Sequence, residues 1–167
     1  MDSFRPLIAF TWPNGPILPE FTDLESSLEQ MIGKASTRID ILTYSQNTDT
    51  RFNLNKSLED AIKRNKPEIN LYMHEEADAK RFKSSYKGIG SKIRCWYWDD
   101  QDDTYSKFHI KAILVDNFEI YIGSANLSKT AMAKSAECGL FFRNREITTS
   151  LRRYLEELID AKRLIEV

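Results

Sequence analysis

Residues 107–126 read KFHIKAILVDNFEIYIGSAN, two apolar runs on either side of the pair Asp116-Asn117. The runs predict strands over residues 107–115 and 118–122, and the Asp-Asn pair suits the tight turn of a hairpin. A helical crossover has no room between them. In a strand, positions two apart share a face, so His109 and Lys111 are expected side by side. If Asp116 and Asn117 make up the whole turn, pairing sets Ser124 opposite His109, with Gly123 and Asn126 beside them. The hairpin then gathers an imidazole, an ammonium, a hydroxyl and an amide. Such a group suits a phosphate: Lys111 offers charge, Ser124 and Asn126 offer neutral donors, and Gly123 lets the backbone come close.

The chain before the hairpin alternates strands with helices. Residues 7–12 read as a strand ended by Pro13-Asn14-Gly15-Pro16, and Thr22-x-x-Glu25 has the pattern of a capping box. Leu24, Leu28, Met31 and Ile32 share one helical face. Residues 37–45 form the next strand, with Ile39, Ile41 and Thr43 on one side. Leu54, Leu58, Ala61 and Ile62 mark a helix ending near Asn65-Lys66-Pro67. A strand at 68–74, a polar helix at 76–87 stopped by Gly88 and Gly90, and a strand at 92–98 follow. After an acidic loop at 99–103 come the hairpin, a strand at 137–143 and a closing helix near 147–163. The reading is an α/β fold, one mixed seven-stranded sheet sandwiched between helices, with residues 1–167 as a single domain.

Composition sets further bounds. With 167 residues, 41% hydrophobic and 29% charged, the chain can bury a core without staples, and no apolar run approaches the ~20 residues of a membrane span. Residues 1–10 lack a basic start followed by an apolar stretch, so a cytoplasmic location is expected. Cys95 and Cys138 stand singly in β-like runs, without the clustered Cys/His spacing of a zinc site, and read as buried free thiols. A net charge of −1 excludes a uniformly basic surface, so any polyanion site must be local. Positive charge does concentrate late in the chain: residues 107–153 hold eight Lys and Arg against four Asp and Glu.

The hairpin residues resemble the HKD motif of the phospholipase D superfamily: His-x-Lys, four residues, Asp, six residues, then Gly-Ser-x-Asn. Here it reads His109-Ile110-Lys111, Asp116 and Gly123-Ser124-Ala125-Asn126. Glu137 lies 28 positions after His109, where nucleases of that family carry the acidic partner of the histidine. The specific match covers residues 107–143. The N-terminal third agrees only in pattern, through the segment Arg38-Ile39-Asp40-Ile41-Leu42-Thr43-Tyr44-Ser45. The resemblance implies that His109 attacks phosphorus to form a phosphohistidine, while the histidine of a second motif protonates the leaving oxygen. It implies that Glu137 holds the other ring nitrogen of His109, and that Lys111, Ser124 and Asn126 stabilise the phosphoryl oxygens with no metal or other cofactor. Because the chain holds a single motif, it also implies a homodimer in which each protomer donates one histidine. Asp116, at the hairpin tip, suits turn chemistry better than substrate contact.

Each reading has a plainer rival. A lone histidine in a strand is usually structural, and only the aligned partners of His109 reverse that; His74 lacks them and reads as an exposed or locally bonded ring. Trp96-Tyr97-Trp98 can stack bases, at ~1–3 kcal/mol each, but burial in a strand suits it better. Lys129, Lys134, Arg143 and Arg145 can track a phosphate backbone or be ordinary solvated charge. The expected activity is a nuclease-like phosphodiesterase acting on DNA or RNA. The alternatives are a phospholipid phosphodiesterase or transphosphatidylase, and a non-catalytic dimerising subunit of a nucleic-acid processing or defence complex with a partner protein. No basic-aromatic amphipathic anchor supports a lipid substrate.

Overall fold

The computed structural model describes residues 5–15, 18–45, 53–86, 93–100 and 105–167. Its elements are β1 (Leu7–Phe10), α1 (Leu24–Gly33), β2 (Arg38–Leu42), α2 (Asn53–Asn65), β3 (Glu68–Met73), α3 (Glu76–Ser85), β4 (Ile93–Trp98), β5 (Ala112–Val115), β6 (Glu119–Gly123), α4 (Lys129–Lys134), β7 (Cys138–Arg143), α5 (Arg145–Asp160) and β8 (Leu164–Glu166). The expected stops at Gly88 and Gly90, the side chain of Leu54 and most of the acidic loop lie outside the described residues.

The strands form one sheet in the order β1-β7-β6-β5-β2-β3-β4-β8. Strands β2, β3 and β4 are parallel, joined by the crossovers that carry α2 and α3. The remaining pairings are antiparallel, which makes the sheet mixed. It has eight strands where the sequence predicts seven. The eighth, β8, is three residues long and returns along β4 after a left-handed Lys162 (φ 56°), too short to display a periodicity.

Helices cover both faces. Leu24, Leu28, Met31 and Ile32 of α1, Leu58, Ala61 and Ile62 of α2, and Ala79 and Phe82 of α3 are buried against Ile39, Ile41, Ile69, Leu71 and Ile113. On the other face, Leu155 of α5 packs with Leu42, Tyr72, Trp96, Phe108 and Leu164. Capping differs from the expected box: Asp23, not Thr22, caps α1 by accepting from Ser26 N at 2.8 Å. Cys95 is buried as expected, with its thiol pushed up to about 12 by burial, whereas Cys138, at the start of β7, is exposed. No helix among the described residues is long and apolar enough to cross a membrane.

A buried charge ties α5 to the sheet. Asp40, fully buried on β2, accepts from Arg38 Nε (2.9 Å), Arg152 Nε (2.7 Å) and Asn70 Nδ2 (3.0 Å). Arg152 also donates to Asn117 Oδ1 at 3.3 Å and to the carbonyl of Asp116, so the same side chain holds the hairpin tip. Asp116 itself adopts a left-handed backbone (φ 53°). Its carboxylate accepts from the backbone of Thr37 (2.8 Å) and Arg38 (3.1 Å) and from the hydroxyls of Ser36 (2.8 Å) and Thr37 (2.9 Å). Asp116 is therefore a staple between the hairpin and the start of β2.

Candidate active site

Neighbouring strands bring five chain segments to one rim of the sheet. Leu42 pairs with Ala112, Ala112 with Ile122, and Gly123 with Gly139. The residues just beyond those pairs are Thr43 and Tyr44 after β2, His74 after β3, Lys111 before β5, Ser124 after β6 and Glu137 before β7. This is the carboxyl end of the parallel strands, where open α/β sheets place ligands.

Two details of the hairpin differ from the sequence reading. Strand β5 begins at Ala112, so residues 107–111 are not in the ladder. The β5 and β6 pairing runs from Val115↔Glu119 to Ala112↔Ile122, one position off the two-residue turn, because Asp116, Asn117 and Phe118 together make the connection. Gly123 N therefore donates to Lys111 O at 3.2 Å, and Ser124 does not stand opposite His109. Even so, His109 and Lys111 meet. Lys111 Nζ lies 3.1 Å from Nδ1 and 3.2 Å from Nε2 of the exposed His109 ring, and donates to the His109 carbonyl at 3.1 Å. Burial lowers the Lys111 pKa below that of an ordinary lysine, and the Glu137 charge opposes the shift.

Glu137 takes a different partner from the one the motif implies. Among the described residues its carboxylate makes no hydrogen bond to His109; it accepts the hydroxyl of Ser124. The cause is the β6 and β7 pairing, which carries Ser124 N to Cys138 O (3.0 Å) and Cys138 N to Ser124 Oγ (3.2 Å), setting Glu137 beside Ser124. Thr11 clamps the backbone there: its N donates to Glu137 O at 3.0 Å and its Oγ1 accepts from Glu137 N at 2.9 Å. Thr43, fully buried, holds the next segment by accepting from Leu127 N at 3.2 Å. Between these anchors, Asn126 Oδ1 is buried without a partner among the described residues.

Gly123 answers to internal packing. A Cβ there would overlap the Tyr121 hydroxyl and stand 2.7 Å from Cys138 O. Lys129 and Lys134 are exposed at the two ends of α4, which Ser128 caps by accepting from Ala131 N at 3.2 Å. The structure does not bring Arg143 to the cluster. It pairs with Glu119 at the far end of β6, four residues or ~13 Å from Gly123. There it lies over the Phe118 ring at 4.1 Å and 3.9 Å from Glu119 Oε1.

Two residues join the site that the sequence did not single out for it. Tyr44 meets the His109 ring edge-on at 5.2 Å and stacks on His74 at 4.8 Å and 17°. Each lies within two residues of the end of a parallel strand, the one signal that could have found them.

A family model described as cardiolipin synthase, PLD-like domain, matches residues 28–159. No curated protein matches the chain. Among solved structures it is similar to NucT from Helicobacter pylori (TM-score 0.73, 16% identity, 99% of this chain and 100% of that one). It is also similar to Nuc, a phospholipase D family member from Salmonella typhimurium (TM-score 0.70, 20% identity, 99% of each chain). Phosphatidylserine synthase from Haemophilus influenzae Rd KW20 matches all of this chain with 41% of its own length (TM-score 0.70, 15% identity). At these identities the structural likenesses speak for the fold alone, and the family match carries the assignment: the chain belongs to the PLD-like domain family of the phospholipase D superfamily.

Proposed function

We propose that this chain is a phosphodiesterase that hydrolyses nucleic acid without a divalent metal, with His109 as nucleophile and a second copy of the chain supplying the other imidazole. The observation that carries it is an exposed His109 ring with the Lys111 ammonium 3.1 Å away, on a rim shared with Ser124 and Glu137. A nitrogen lone pair of His109 attacks phosphorus, and the P–N bond forms as the ester P–O bond breaks. The leaving oxygen takes a proton from the His109 ring of the second copy. Water then returns a proton to that ring, its oxygen attacks phosphorus, and the P–N bond breaks. Lys111 and Asn126 stabilise the charged oxygens, while Glu137 orients Ser124 and offsets the Lys111 charge.

The need for a second copy follows from the histidines. The chain holds two, and the His74 Nδ1 already accepts the Phe108 N–H at 3.4 Å. A surface for the second copy adjoins the rim. Ile8, Leu140 and Ile122 stand side by side across β1, β7 and β6, with 55%, 37% and 42% of their surface exposed, and Gly123 follows Ile122. As about half of each is still open to solvent, covering the rest is worth ~0.5–1.5 kcal/mol per side chain.

A nucleic acid is put before a lipid because residues 107–153 hold eight Lys and Arg against four Asp and Glu, while NucT, Nuc and phosphatidylserine synthase share the fold alike. Phospholipid transphosphatidylation remains the second reading, supported by that synthase and by the description of the family model. Labelled single- and double-stranded DNA and RNA, incubated with the protein in excess chelator, test the first. Cleavage lost in His109→Ala is expected. Intact oligonucleotides together with headgroup release from phospholipid vesicles would reverse the order.

A further inference from the structure

The segment that carries His109 lies ahead of the sheet ladder, with Lys111 O held by Gly123 N at 3.2 Å, so strand hydrogen bonds reach its last residue and do not fix His109. Other contacts must. The Phe108 ring is buried beside Trp98, at 6.1 Å, and the Phe108 N–H donates to His74 Nδ1 at 3.4 Å. For Nδ1 to accept, the imidazole must be neutral with its proton on Nε2, and that nitrogen faces Glu75 Oε1 at 3.7 Å. The ring, 13% exposed, stacks on Tyr44 at 4.8 Å, and Tyr44 in turn meets the His109 ring at 5.2 Å and 63°. His74 thus touches the reactive segment twice, through backbone on one side and through Tyr44 on the other.

We propose that His74 is a positioning residue for His109, fixing the backbone at Phe108 by its Nδ1 and the Tyr44 ring by its face. The proposal rests on the phosphodiesterase reading for its effect on turnover and stands without it for its effect on the His109 ring. A strand end is a poor place for a half-buried imidazole unless both its lone pair and its face are used, and here both are. A displacement of ~1 Å at the reactive group can cost 10²-fold in rate, so small losses of this support are amplified in turnover.

The chain has two histidines, so a carbon-edited proton spectrum carries two imidazole Cε1–H signals, and His109→Gln assigns them. Three variants separate the contacts: His74→Phe keeps the stack and loses the acceptor, His74→Asn keeps an acceptor and loses the ring, and His74→Ala loses both. In variants whose circular dichroism matches the parent, the His109 signal is expected to move furthest in His74→Ala and less in the other two. With bis(p-nitrophenyl) phosphate as substrate, kcat should fall ~10–100-fold in His74→Ala with KM within about twofold, and His74→Asn should recover part of the loss. An unmoved His109 signal in folded His74→Asn and His74→Ala overturns the proposal. A moved signal in a protein that turns over no phosphodiester upholds the positioning and rejects the catalytic reading.

Discussion

Lys111 Nζ stands 3.1 Å from Nδ1 and 3.2 Å from Nε2 of His109, so an ammonium lies beside the ring that the proposed reaction uses, where it would meet an anionic phosphoryl oxygen. The two side chains arrive there without a strand between them. A fixed cation at that point stabilises charge that grows as phosphorus is attacked, and its removal is expected to act on kcat more than on binding. Lys111→Met should lower kcat by ~10²–10³-fold with little change in the thermal midpoint, measured with a chromogenic phosphodiester and by thermal denaturation. A variant that keeps its kcat would show that the ammonium only fills space.

Burial lowers the Lys111 pKa and the charge of Glu137 raises it, so the lysine loses its proton at a lower pH than an exposed lysine does. Replacing Glu137 with Gln removes the opposing charge and should lower the Lys111 pKa further. A titration followed at the Lys111 side-chain carbons measures this directly. An upward move would contradict the placement of the two groups.

The Asp116 carboxylate accepts from Ser36, Thr37 and Arg38 across the hairpin tip, and this staple is a stability device. Burial raises the Asp116 pKa, but the hydrogen bonds from Thr37, Arg38 and Ser36 outweigh it and hold the carboxyl below its ordinary value. Since the folded pKa is depressed, the contribution is present above the unfolded value and is lost as pH falls through the folded one. Asp116→Asn should cost ~2 kcal/mol in urea unfolding at pH 7, with the gap to the parent narrowing under acid. A constant gap down to the acid end would mean that the charge is not what holds the tip.

Arg152 reaches from α5 to the fully buried Asp40, to Asn117 and to the Asp116 carbonyl. Removing one partner of a buried ion pair costs more than the pair contributes, because the other charge stays desolvated. Arg152→Met is expected to lose ~3 kcal/mol by urea denaturation, while Arg153→Met, whose guanidinium is exposed with Glu157 at 3.9 Å, should lose under ~1 kcal/mol. Equal losses would refute the distinction.

The exposed row of Ile8, Leu140 and Ile122 supplies the test of assembly. A dimer by sedimentation is expected for the parent chain and a monomer for Ile122→Glu, whose charge would have to be buried in the contact. Mixing inactive His109→Ala with an inactive variant carrying Ile122→Glu should restore nothing. A parent chain that sediments as a monomer would remove the shared site.

Much of this was legible in the sequence because the core obeys simple periods. Ile39 and Ile41, Ile69 and Leu71, and Ile113 and Val115 point to the face that α1, α2 and α3 cover, and the helical stripes of Leu24, Leu28 and Ile32 match them. Alternation misleads at residues 107–111, where buried Phe108 and half-buried Ile110 look like a strand although their backbone joins no ladder. The register slips by one because a left-handed Asp116 draws Phe118 into the turn, and no residue type marks that. Asp40 looks solvent-facing until Arg152, over a hundred positions later, covers it. The contacts between His109 and Lys111 and between Ser124 and Glu137 join residues of one local hairpin and the strand after it, which puts them within reach of the sequence. Tyr44 and His74 come from strands distant in sequence, and only the parallel pairing of β2 and β3 joins them to those residues.

The proposed reaction requires a covalent bond between phosphorus and His109. Brief reaction with a phosphodiester, quenched in alkaline denaturant to preserve an acid-labile P–N bond, and peptide mass spectrometry should find the phosphoryl group on the peptide holding His109 and nowhere else. Product accumulating while that peptide stays unmodified at every quench time, including in variants slowed at the hydrolysis step, would contradict it.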